Sequence, residues 1–128
     1  MQYSKKALNE YRSVEVDASV LAANPHELIA KLMSGAINST QRAKQYMLIQ
    51  DIPSKSQHIK VAMSIIADGL RSALNMEAGG EIAANLDALY EYMLQRLMTA
   101  HAHNDPAVLD EVVLLLNEVK AGWDGIKS

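Results

Sequence analysis

His101 and His103, separated by one alanine, are the residues of this chain best suited by type and proximity to hold a metal ion. On a helix, however, side chains meet at spacings of three and four, and positions i and i+2 diverge. The pair therefore reads better as a polar helix end whose imidazoles sit near the negative C-terminal dipole. A di-metal centre inside a helical bundle needs inward glutamates and Glu-x-x-His pairs, and no glutamate here is followed three positions later by histidine. Phosphotransfer needs an exposed histidine in mid-helix; His26 falls in a first turn and His58 near a helix start. Gly79-Gly80 has the character of a turn rather than a phosphate cradle. With no cysteine there is no thiolate nucleophile, disulfide or zinc–sulfur site. No catalytic set is legible, no cofactor is expected, and the residues point to a protein that is not an enzyme.

Binding surfaces are more promising. On the second helix, Val61, Ile65, Gly69 and Met76 lie roughly 60 to 140° to one side of an apolar stripe centred on Ile66, at 100° per residue. They form either a broad core contact with two neighbours or a groove for a partner helix, with Gly69 admitting close backbone approach. Tyr92 falls at the margin of the third helix's apolar face. Tyr3, Leu8 and Tyr11 precede the bundle on a segment too short to bury itself, so they dock back or stay available to a partner. The expectation is that this segment covers an apolar groove and moves aside when a partner arrives.

The elements that must position these residues can be read from punctuation. Asn24-Pro25-His26-Glu27 places a capping residue, a first-turn proline and a glutamate three past the cap. The helix it opens, about 25–50, carries Leu28, Ile29, Leu32, Ala36, Ala43 and Met47 on one face. Asp51-Ile52-Pro53-Ser54 interrupts it, and Ser54 with Gln57 suggests the cap of a second helix, about 54–78. After the glycine pair, Ile82, Leu86, Leu89, Met93 and Leu97 mark a third, about 81–102. Asn104-Asp105-Pro106 opens a fourth, about 106–126, with Val108, Val112, Leu115, Leu116, Val119 and Trp123. Short links force antiparallel neighbours. The expected fold is all-α, an antiparallel up-down four-helix bundle over 24–128 with a short N-terminal arm or helix over 1–23.

Composition agrees. Apolar residues are 49% of 128, ample for one domain, and the core must be built from Ala, Leu, Ile and Met because there is no Phe and one Trp. The net charge of −3 disfavours nucleic acid as main partner. The excess is uneven: residues 1–80 are slightly cationic and residues 81–128 markedly anionic. No apolar run reaches the roughly 18 residues of a membrane span, so no membrane insertion is expected. Neither a signal nor a transit pattern opens the chain.

The order of these features resembles the flagellar secretion chaperone family, the FliS type. The matching pieces are Tyr3 and Tyr11, Asn24-Pro25-His26-Glu27-Leu28-Ile29, Gly35-Ala36, and Ile65-Ile66 with Leu70. Most specific is Gly79-Gly80-Glu81-Ile82-Ala83, followed by Asn85-Leu86, Leu89-Tyr90 and Tyr92-Met93; Leu97, Ala100, Asn104-Asp105, Glu111-Val112 and Trp123 continue the match. Met33-Ser34 stands where the family usually has an aromatic followed by aspartate, and Val61-Ala62 where it commonly has Lys-Ala. The resemblance implies a cytosolic, cytoplasmic chaperone without enzymatic activity. Its expected partner is the disordered C-terminal segment of flagellin, which it keeps from premature polymerisation and helps deliver to the flagellar type III export apparatus. The export gate protein and flagellar regulators are further expected partners. A second reading, from another class, is a regulatory adaptor that sequesters a helical regulatory protein.

Overall fold

The computed structural model describes residues 24–126, and every described element is helical. Helix α1 spans Pro25–Leu48 and α2 spans Ile52–Ser64, continuing as a π-helical stretch over Ile65–Arg71. Helix α3 spans Met76–His103 and α4 spans Pro106–Asp124. The helices pack α1 on α2, α2 with its π-helical continuation on α3, α3 on α4, and α4 back on α1. Four helices joined by links of two to four residues and closed in this ring make an antiparallel up-down bundle.

The helix starts follow from local chemistry. Asn24 Oδ1 accepts from the Glu27 amide at 2.8 Å, as its capping pattern requires. The α2 cap, however, is Asp51 rather than Ser54: the Ser54 amide donates to Asp51 Oδ1 at 3.2 Å. Pro53 tolerates that placement because first-turn amides have no intrahelical acceptor to lose. Asp105 caps α4 by accepting from the Ala107 amide at 3.1 Å.

The second and third helices divide elsewhere than the glycine pair suggests. The second rod stops at Arg71, and Asn75 caps a new helix by accepting from the Ala78 amide at 3.0 Å. Met76 thus opens α3 instead of closing α2. Gly79-Gly80 is a bend inside α3, where Gly80 takes φ 52° and ψ −127°. Just past the π-helical stretch the Ser72 hydroxyl donates to the Ala67 carbonyl at 2.9 Å, occupying an acceptor near the end of the rod.

The core runs between the helices through Met33 and Ala36 of α1, Ile59, Ala62, Ile65, Ile66 and Leu70 of the second rod, Met93 and Leu97 of α3, and Leu109, Val112 and Leu116 of α4. Alanines at Ala36, Ala43, Ala62 and Ala100 are fully buried and let helices lie close where no aromatic is present to fill space. The buried face of α3 is Ala83, Tyr90, Met93, Leu97 and Ala100. It is rotated from the expected stripe: Leu86 and Leu89 are only partly buried and Ile82 is 73% exposed.

Candidate binding cleft

The rotation of α3 leaves an apolar cleft of about 540 Å³ at the end of the bundle where α1 begins and α4 finishes. Its walls come from Ile29 and Met33 of α1, Leu70 of the π-helical stretch and Leu74 after it, Ile82, Ala83 and Leu86 of α3, and Val119 and Trp123 of α4. Tyr90 also lines it and is almost wholly buried. Burial pushes its phenol up to about 12, so the ring serves as a neutral surface at any physiological pH. Among the described residues, no pair of carboxylates or nucleophile–base set faces this space. Its chemistry is contact with another apolar surface.

One side of the cleft is held by a reciprocal pair. The Trp123 indole Nε1–H donates to the His26 carbonyl at 2.9 Å, and the His26 Nε2–H donates to the Trp123 carbonyl at 2.9 Å. The two rings stack with centroids 4.6 Å apart. This ties the first turn of α1 to the last turn of α4 and satisfies one of the terminal carbonyls that an α-helix leaves open.

Two ion clusters set the helices on which the cleft depends. Arg71 Nε meets Asp87 Oδ1 at 2.6 Å and its guanidinium also pairs with Glu91, locking the end of the second rod onto α3. The hydrogen bond from Arg71 holds the Asp87 carboxyl below its ordinary range. Glu111 of α4 accepts from the Tyr92 hydroxyl at 2.5 Å and from Arg96 at 2.7 Å. These bonds, Tyr92's first and Arg96's second, lower the Glu111 carboxyl, and the Glu111 bond raises the Tyr92 phenol. Arg96 lies over the Tyr92 ring at 5.9 Å from its centroid, a distance at which the cation meets the π face.

The sequence-expected contact residues do not gather at this cleft. Ile65 and Gly69 are buried between α1 and α3, and Val61 is packed against the same core, so that strip makes the broad two-neighbour contact. Met76 stands apart on the first turn of α3, 49% exposed. Tyr92 is 41% exposed but faces Glu111 and Arg96 on the α3–α4 surface. Tyr3, Leu8 and Tyr11 lie outside the described residues. Of the residues that line the cleft, Ile29, Leu70, Leu74, Ile82, Leu86, Val119 and Trp123 fall on the apolar stripes expected for the core, whereas Met33, Ala83 and Tyr90 lie outside them. Among the described residues, no group of three His, Cys, Asp or Glu side chains is placed to hold a metal ion, and no helix is long and apolar enough to cross a membrane.

Comparison with known proteins places the chain. A family model described as flagellar protein FliS matches residues 7–128. The flagellar secretion chaperone FliSB of Pseudomonas aeruginosa is 50% identical over 124 residues, covering 97% of this chain and 98% of that one. The flagellar secretion chaperone FliS of Vibrio cholerae is 42% identical, covering 94% of this chain and 88% of the relative. That of Salmonella typhimurium is 37% identical, covering 97% and 92%.

Proposed function

The chain belongs to the FliS family of flagellar secretion chaperones, and from that premise we propose that it binds the disordered C-terminal segment of flagellin in the cytosol. In this reading it prevents premature polymerisation and assists delivery to the flagellar type III export apparatus. The observation that carries the proposal is the apolar cleft between α1, α3 and α4, with Ile82 standing 73% exposed at its wall. An amphipathic client helix laid there would cover its own apolar face, the helix-in-groove mode of recognition. The client orders on binding, and that entropy offsets part of the contact energy, so the complex stays releasable. The family is one of chaperones rather than enzymes, and the described residues present a surface for contact, without a reacting group.

Tyr3, Leu8 and Tyr11 enter the proposal as residues of an arm that competes with the client for apolar contact. Deleting residues 1–15 tests this; unchanged client affinity together with unchanged solubility would remove the arm from the account. Met76 and Tyr92 are exposed enough to touch a bound chain, whereas Ile65 and Gly69 are accounted for by the core. The central test is calorimetric titration of the full chain with a synthetic peptide of the flagellin C-terminal segment. Binding at micromolar concentration is the expected result. Silence at tens of micromolar, with capture of a flagellar regulator instead, would favour the adaptor reading.

A further inference from the structure

The first turn of α3 is complete in itself yet not in line with the helix that follows. Asn75 caps it through its side chain, and the Gly79 amide donates to the Asn75 carbonyl at 2.8 Å. At Gly80 the backbone then leaves helical geometry, at φ 52° and ψ −127°, a conformation that residues with a Cβ rarely adopt. Gly79 is needed as well, because a Cβ there would come 2.6 Å from the Cβ of Ala83. The bent arrangement therefore depends on both glycines. The register of the sequence favours a different arrangement. Met76, Ala83, Tyr90 and Leu97 recur every seven residues, a spacing that drifts only about 20° per step on a straight helix. Ala83, Tyr90 and Leu97 are buried, while the bend leaves Met76 49% exposed. Both Asn75 and Gly79, flanking this turn, line the cleft.

We propose that Met76–Gly79 is a hinged lip of the cleft, turning on Gly80 between the bent form and a straight continuation of α3, and that a helical client selects the straight form. The inference rests on the reading of the cleft as the client site. Straightening adds four residues, about 6 Å, to the α3 wall, and it aligns Met76 with Ala83 and Tyr90, two residues that already line the cleft. A client gains those contacts only in the straight form, and such a difference is what lets a ligand shift a conformational equilibrium.

The experiment follows amide exchange in the full chain while it is titrated with the flagellin C-terminal peptide. In the straight form the amides of residues 81 and 82 bond to carbonyls one turn back, so their exchange should slow on saturation. Gly80→Ala disfavours the bend and should bind the peptide about threefold to tenfold tighter, because less of the affinity is lost to switching. If the wild type binds but those amides exchange as before, or if a cooperatively melting Gly80→Ala binds no tighter, the lip is overturned and the client site stands. Should Gly80→Ala fail to melt cooperatively, wild-type exchange decides alone. Failure of the wild type to bind overturns the client reading, and the lip with it.

Discussion

Lys55 carries its ammonium into the bundle at 2% exposure, where Nζ donates to the His101 carbonyl at 3.2 Å and to Asn104 Oδ1 at 2.5 Å. Its compensation is the negative C-terminal end of α3. Replacing it with alanine strands two acceptors and removes the packed aliphatic stem, so Lys55→Ala should cost about 1–3 kcal/mol in urea denaturation. Beside it, His101 Nδ1 is buried with no partner among the described residues, which favours the proton on Nε2, donated to Ser56 Oγ at 3.3 Å. A second proton would bury an N–H with no acceptor. Desolvation first, then Lys55 and Lys60, accordingly hold the His101 pKa below its ordinary 6.5. Between the depressed value and 6.5 the unfolded chain binds a proton that the folded chain refuses, so stability rises with pH there. The contribution is complete above 6.5 and is lost as the pH falls toward the folded value. Urea midpoints measured across this window should decline on acidification, and the decline should shrink in His101→Gln. An unaltered slope in the variant would remove His101 as its source.

At the scale of elements, helix starts were the most legible feature, because a capping side chain beside a proline is chemistry written into adjacent residues. Asn24-Pro25 and Asp105-Pro106 behaved as read, while Asp51 outcompeted Ser54 by lying one residue before the helix that Pro53 helps to open. The second junction was not legible. An apolar stripe running through Leu70, Ala73 and Leu74 looks the same whether hydrogen bonds close at four residues or at five, so it hid the π-helical stretch and its end at Arg71. Asn75, uncompanioned by proline, gives no cap signal, and the apolar spacing alone places Met76 on the second helix, whereas it opens α3. The same limit applies to faces: periodicity marked α3 as amphipathic but could not say that Tyr90 would turn inward and Ile82 outward. Two substitutions on α3 separate these faces. Leu97→Ala empties a fully buried position and should cost about 2–5 kcal/mol. Ile82→Ala should change stability by less than about 0.5 kcal/mol, yet weaken binding of the flagellin peptide in the same titration. Equal affinity for Ile82→Ala and wild type would take Ile82 out of the contact surface.

The whole molecule has two unlike ends. Where α2 begins and α3 finishes, Lys55, Ser56, His101 and Asn104 interlock, and nearby Lys44 bridges α1 to Asp110 of α4 at 2.9 Å. At the other end, the His26–Trp123 pair joins α1 to α4, and among the described residues the space beside it is lined mostly by apolar side chains. A bundle built to be closed would fill that end with core; under the proposed function, this apolar surface is the one the client covers. Two whole-molecule consequences follow. A client that orders into the cleft buries apolar area on both partners, so its binding enthalpy should fall steeply with temperature, giving a large negative heat-capacity change. Client at a hundredfold over its dissociation constant should also stabilise the bundle by about 2.7 kcal/mol, raising the melting temperature in a concentration-dependent way. Titrations at several temperatures, paired with melts at several peptide concentrations, measure both quantities on one sample. A polar docking onto the acidic outer faces would give a small heat-capacity change and affinity that collapses with salt, because exposed charges are screened within about 10 Å at 0.1 M. Apolar docking at the open end predicts the reverse: the heat-capacity change persists and salt matters little.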